Sequence, residues 1–537
     1  MSPPITPPIT ILRLATLVFA TTSLALINAD LPDGFGPNLD SARENGPQIF
    51  NALHNAMREF GSALHHNGMS LFPAVIPEGV LLYHGTDTKE VPKGFEWLAF
   101  EIEHAESFAR CRGPPRKNVG GDQSQSSLGF ATYPPIPPPG KGRRPRCPPD
   151  SPAGHLHIYQ ASRPLNILYI DGMAAGKTVM GTVDTQDILL SANRSRSSFN
   201  DWARADNLCA LARNWKIDGF IRMEPGFEVI YCDFTDGLRL LSANQRPATD
   251  EPGDLDNMQI SMFEWARAAS QRYQGIGSSR VILDYSSMIS AFFYPINLTN
   301  PDPKRPDLPR LTQASDAEMS VVREQVGESV LRSVSSRKAP VDWQGVTDMI
   351  VTRYAKRLPF IAQTDSIDII RNEINGLLNI FIDYAETDAS FLAARQRCAQ
   401  FYLQPVHART LQDELLHAAI ESTTTAICSA LFKTREIIVE DTDVDEQLAV
   451  GAARQIIHDL LEVLRWSEWK ECGPCQADEL CFIAMWPFGN VEDHYNPSCL
   501  NYSAVVGRRD YWQQRPPPLC FNEQPCQKYD DMRNEEL

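Results

Sequence analysis

The sequence predicts an α+β amino-terminal domain, then an all-α helical domain, then a Cys-rich tail. Three observations carry this. Short β-rich runs are spaced irregularly through the first 245 residues, without the regular alternation of βαβ units. Apolar stripes at helical spacing dominate beyond residue 312. Six of the twelve cysteines fall after residue 470.

The chain has 537 residues, 43% hydrophobic and 22% charged, which supports packed cores. Its net charge of −17 argues against a nucleic-acid partner, because phosphate binding needs clustered Lys and Arg. Residues 1–29 read as a signal peptide: Arg13 is the only charge before Asp30, and Leu17, Val18, Phe19, Leu24, Leu26 and Ile27 form a short apolar run, too short for an easy membrane span. Cleavage beside Ala25 or Ala29 would leave no membrane span, since no later segment looks apolar enough to cross a bilayer. Export suits the even cysteine count and the sequons at Asn193, Asn297 and Asn501, so the expectation is a secreted, glycosylated, disulfide-bonded protein. Asn534-Glu535-Glu536-Leu537 resembles an ER-retention signal but departs from its ending.

Residues 30–245 form the expected α+β domain. A helix is predicted over Ile49, Leu53, Phe60 and Leu64, with Asn67-Gly68 as its stop; its histidines, His54, His65 and His66, read as solvated. Strands are predicted at 79–86, 155–159, 165–170, 219–223 and 227–234, and a helix at 202–215. Trp97-Leu98-Ala99-Phe100 leads into a helix through His104 and Phe108. The Pro- and Gly-rich stretch 113–153 reads as a loop, with Cys111 and Cys147 placed to pin its base. Residues 246–311 are expected to be a linker holding a short helix and strand. Residues 312–470 are the helical domain, with stripes Ile367/Ile370/Ile374/Leu377/Leu378/Phe381 and Ile456/Ile457/Leu460/Leu461/Leu464 as core. Residues 471–537 are the disulfide-rich tail.

Two motifs read as structural. Gly172-Met173-Ala174-Ala175-Gly176-Lys177-Thr178 has three residues between its glycines where a phosphate loop needs four, so it reads as a Gly-rich turn. Cys472-Gly473-Pro474-Cys475 copies a thiol oxidoreductase motif, but it follows a helix inside a Cys-rich tail, which favours structural disulfides. No metal site is expected.

One constellation suggests chemistry. Tyr83-His84-Gly85-Thr86 resembles the His-Gly strand of the ADP-ribosyltransferase superfamily, in its poly(ADP-ribose) polymerase and diphtheria-toxin branch. Glu96-Trp97-Leu98-Ala99-Phe100 with His104–Ala109 is similar to the aromatic strand and helix of that branch, with Trp97 in place of Tyr. Phe227-Glu228-Val229-Ile230-Tyr231 resembles the strand bearing the catalytic Glu. The resemblance covers 79–235 and implies a split sheet with NAD as substrate. His84, Gly85 and Thr86 would then hold NAD, Trp97 would pack on the nicotinamide, and Glu228, with Glu224 as its rival, would stabilise the oxocarbenium-like transition state of ADP-ribosyl transfer or NAD hydrolysis. The layout of the whole chain also resembles large secreted proteins of filamentous fungi. The competing expectation is a non-enzymatic secreted glycoprotein for cell-surface or host interaction.

Overall fold

The computed structural model describes residues 31, 34–109, 154–178, 180–194, 201–246, 254–277, 279–335, 341–385, 391–440, 445–505, 508 and 511. The signal segment, the whole 113–153 loop, Cys111, Cys147, Cys520 and Cys526 lie outside them.

In chain order the first region contains α1 (Leu39–Glu44), α2 (Gly46–Asn55), α3 (Glu59–Leu64), β1 (Ser70–Ile76), β2 (Leu81–Thr86), β3 (Glu96–Ala99), α4 (Ile102–Glu106), β4 (His155–Ala161), β5 (Leu165–Ile170), α5 (Asp201–Trp215), β6 (Gly219–Glu224), β7 (Gly226–Tyr231) and β8 (Leu238–Gln245). After it come α6 (Asp254–Ser270), β9 (Ile282–Leu283) and β10 (Ile289–Ser290). The helical region holds α7 (Asp316–Ser335), α8 (Trp343–Tyr354), α9 (Arg357–Gln363), α10 (Ile367–Leu378), α11 (Leu392–Gln400), α12 (Leu411–Arg435) and α13 (Glu446–Leu464). Beyond it are β11 (Glu479–Phe482), α14 (Val491–Tyr495), β12 (Ser498–Asn501) and α15 (Tyr502–Val505).

The α+β-then-helical order is therefore present. One mixed sheet runs β10-β1-β5-β6-β7-β3-β2-β4-β8, with β9 also on β1. Among the described strands of this sheet only β5 and β6 pair in parallel; the other pairs are antiparallel, as the irregular spacing of strands implies. Both faces of β6 and β7 are buried along their whole lengths.

Several expectations need correction. Residues 254–277 and 279–311 hold the expected helix and strand but do not act as a linker: β9 and β10 complete the sheet against β1, and Trp265, Met288 and Phe293 are fully buried in the shared core. The prolines of that stretch punctuate the chain without preventing it from packing. The first predicted helix is two, α2 and α3, interrupted where Met57 takes a positive φ of 57°. Its histidines do not project into solvent: His54 and His66 are buried, and His65 is half-buried. His54 sits between Asp348 of α8 at 2.8 Å and Glu468 at 3.2 Å, beside Arg58, so it joins the first region to the helical one. Burial disfavours its charged form, but the two carboxylates outweigh burial and raise its pKa.

The α10 stripe is core as expected, with Ile370, Ile374, Leu377 and Leu378 all fully buried. α12 and the turn after it, Leu411–Val439, are long and apolar enough for a membrane span, contrary to the sequence reading. This helix is the hub of the helical layer, packed against α1, α2, α11 and α13, which explains its apolar character without a bilayer.

Among the described residues four disulfides brace the fold: Cys209–Cys232, Cys398–Cys428, Cys472–Cys481 and Cys475–Cys499. Cys472 and Cys475 thus bond to partners on the β11–β12 hairpin and not to each other. The redox pair that a thiol oxidoreductase would use is not formed.

Candidate buried ion site

The three strands of the resemblance, β2, β3 and β7, lie side by side in the sheet. Register decides what they present together. Tyr83 pairs with Ala99, Ala99 with Glu228, and Glu228 with Arg222. Residues directly opposite across strands share a face, and neighbours along a strand alternate faces. Gly85, Trp97 and Glu228 therefore belong to one face, and His84 and Thr86 to the other.

Each expected NAD contact is engaged elsewhere. His84 is 5% exposed, its Nδ1 lies 2.7 Å from the Trp97 carbonyl oxygen, and its ring packs near Phe234 and His157. Thr86 is buried on the same side. Gly85 is pressed against α4, where a Cβ would stand 2.0 Å from the Ala105 carbonyl oxygen. Trp97 is buried edge-to-face against Trp202 of α5, with ring centres 4.9 Å apart. The structure does not bring His84 and Glu228 together around a sugar-sized gap.

Glu228 instead belongs to a buried ion network on the α4–α5 face. β6 and β7 form a tight hairpin through Pro225 and Gly226, whose φ of +95° suits glycine. Arg222, Glu224 and Glu228 all point to one side of this hairpin. The fully buried Arg222 donates from Nε to Glu228 at 2.9 Å, from Nη2 to Asp201 at 2.9 Å, and from Nη1 to Gln186 at 3.1 Å. Arg204 bridges Asp201 at 2.9 Å and Asp187 at 2.7 Å. Lys177, from the Gly-rich turn, reaches Asp201 at 3.3 Å and Glu224 at 3.5 Å, and its ammonium lies 4.3 Å from the centre of the Trp486 ring.

His104 of α4 completes the network. Its Nε2 is 3.3 Å from Glu224, and its ring stacks on Trp265 at 4.6 Å, while the Trp265 indole N–H donates to the Pro225 carbonyl. Beyond Nδ1 of His104 lie two more buried acids. Glu59 accepts from the Gly226 N–H at 3.0 Å, and Glu101 accepts from Arg272 at 3.1 Å.

Burial and charge set the protonation. Burial raises the Glu228 carboxyl, against the pull of Arg222. It raises Glu59 well above the ordinary range, with Glu101 adding repulsion, and raises Glu101 against His104 and Arg272. At Glu224 and Asp201 burial pushes the same way, but their partners win: Lys177 and the hydrogen bond with His104 hold Glu224 below its usual value, and Arg222 and Lys177 hold Asp201 well below. Ligand atoms of His104, Glu224 and Glu228 lie within 4.8 Å of one another. These three could hold a metal, which the sequence reading did not foresee.

The fold and site thus define a mixed-sheet protein with a charged network sealed between sheet and helices. Segments 35–135 and 139–261, which contain that network apart from Trp265, Arg272 and Trp486, match the family described as the YPL277C N-terminal domain. The chain is 28% identical to the uncharacterized protein YOR389W of Saccharomyces cerevisiae, over 84% of this chain and 83% of that one. It is 34% identical to the uncharacterized yeast protein YPL277C, over 37% of this chain and 43% of that one. No solved structure matches.

Proposed function

We propose that this protein is a non-enzymatic glycoprotein of the secretory pathway or cell exterior, acting by surface recognition. The observation that carries this reading is cysteine pairing: every cysteine among the described residues is in a disulfide, a state that an oxidising compartment maintains. The three sequon asparagines, Asn193, Asn297 and Asn501, are all exposed and open to a glycosyltransferase. Recognition is supported by large apolar side chains left in solvent near the α10–α11 connection, where Ile380, Tyr384 and Leu392 are 60%, 70% and 67% exposed. The test is expression through a secretory pathway, followed by endoglycosidase digestion and thiol titration of the denatured protein. A mobility shift with no titratable thiols at the four described pairs is expected. An unglycosylated product with free thiols at those positions would defeat the reading.

A second reading, kinship with the ADP-ribosyltransferase split sheet and activity on NAD, is favoured by the adjacency of β2, β3 and β7. It requires His84 and Glu228 to meet across a sheet that separates their side chains, so kinship of fold is its stronger half.

A further inference from the structure

We propose that His104, Glu224 and Glu228 bind one divalent transition-metal ion, of the class that takes imidazole and carboxylate donors together, with Zn²⁺ as the probe. The inference is independent of where the protein is located and of what it recognises.

Three observations converge. First, one donor atom from each side chain lies within 4.8 Å of the others, and the residues are only 2%, 4% and 6% exposed. Two donors come from the rigid β6–β7 hairpin. The third is an imidazole whose plane is fixed by Trp265. Second, acidic side chains outnumber the fixed cations. Six (Glu59, Glu101, Asp187, Asp201, Glu224 and Glu228) lie around four cations (Lys177, Arg204, Arg222 and Arg272), and all but Glu59 are in ion-pair contact with one of them. Arg280 adds only a more distant positive field at Glu101. A dication is accommodated where buried acidic side chains exceed the fixed cations around them.

Third, the groups behind the imidazole are those a metal-bound histidine needs. Nδ1 of His104 is buried with no hydrogen-bond partner, as are Oε2 of Glu101 and Oε2 of Glu59. Nδ1 and the Glu101 oxygen converge on Gly226, where a Cβ would stand 3.4 Å from the first and 2.8 Å from the second. With a metal on Nε2 the ring proton resides on Nδ1, directed to the side where Glu101 offers an acceptor. This is the metal–histidine–carboxylate arrangement that orients a ligand and strengthens its basicity. Without a metal, Nε2–H is held by the long 3.3 Å contact to Glu224 and Nδ1 gains nothing. Lys177 and Arg222 keep Asp201 as their common partner when the carboxylates of Glu224 and Glu228 turn to the ion.

The test uses the full-length oxidised protein, stripped with chelator and titrated with Zn²⁺ by calorimetry, with Co²⁺ as a spectroscopic substitute. One equivalent should bind. The Co²⁺ complex should lack thiolate charge-transfer absorption, because Cys472, Cys475 and Cys499 are held in disulfides. His104→Gln should reduce affinity at least a hundredfold, and Glu101→Gln, which spares all three donors, about tenfold. Circular dichroism of the metal-free variants separates lost binding from lost folding. Should His104→Gln fail to fold, the wild-type Co²⁺ spectrum and the Glu101→Gln titration still decide. Absence of a stoichiometric site in the wild type, thiolate bands with Co²⁺, or unchanged affinity in a folded His104→Gln protein would each overturn the assignment.

Discussion

Arg222→Met removes a charge from the centre of the network while nearly preserving volume. The guanidinium is completely buried and serves Asp201, Glu228 and Gln186 at 2.9–3.1 Å. Deleting one partner of a buried pair costs about 3–5 kcal/mol, because the other charge is stranded. Asp201 retains Arg204 at 2.9 Å and Lys177 at 3.3 Å, which softens its loss. Glu228 has Arg222 as its ion-pair partner and would have to take up a proton. A cost of about 3 kcal/mol follows, at the lower end of that range. Glu228→Gln is the matched control. It leaves Arg222 on Asp201, preserves an amide oxygen as acceptor, and removes a carboxylate whose charged form burial disfavours. Its cost should stay within about 1 kcal/mol. Denaturant unfolding at pH 7, read as a midpoint shift at constant slope, measures both. The reasoning fails if Arg222→Met unfolds with the wild type, or if Glu228→Gln proves equally damaging.

Two further perturbations test other parts of the account. Asp171 is pushed up to about 7 by burial, despite hydrogen bonds from the Gly172 N–H and the Tyr169 hydroxyl. A raised carboxyl favours folding while protonated, so its contribution is present in acid and lost as pH rises toward 7. Asp171→Asn should therefore gain on the wild type by about 3 kcal/mol between pH 4.5 and 8, at 1.36 kcal/mol per pH unit; a difference in stability independent of pH would contradict this. Gly85→Ala places a Cβ 2.0 Å from the Ala105 carbonyl oxygen and 2.6 Å from the Ala109 nitrogen. It should cost about 2 kcal/mol or more by forcing α4 off the sheet, and a thermal melt matching the wild type would show that α4 does not pack there.

Much of the secondary structure was legible because it is local. The α10 stripe, the helix at Asp201–Trp215 and the strands carrying His84, Trp97 and Glu228 each follow from period and composition. Which strand residues face the same way was not. β2 and β3 share only the pair Tyr83–Ala99, and that long-range register, invisible in either segment alone, sends His84 away from Glu228. The linker reading of 246–311 fell short for a similar reason: the short helix and strand it allowed are there, but the pairing of β9 and β10 with β1 is long-range, and the prolines around them imitate a linker. One signal for the ion network was present. In 219–231 the only charged residues, Arg222, Glu224 and Glu228, fall at even spacings within otherwise apolar strands, as a buried charged row on a hairpin would require. Lys177 was hidden by its resemblance to a phosphate loop, and His104 by the helix pattern around it.

Nicotinamide release from millimolar NAD, measured for the wild type and Glu228→Gln side by side, addresses the placement of Glu228 most directly. With His84 and Glu228 on opposite faces of the sheet, neither protein should exceed the buffer rate, and NAD should leave the melting temperature unchanged. Release by the wild type that disappears in a folded Glu228→Gln protein would mean that this carboxylate reaches substrate, and the buried-network account of it would be wrong.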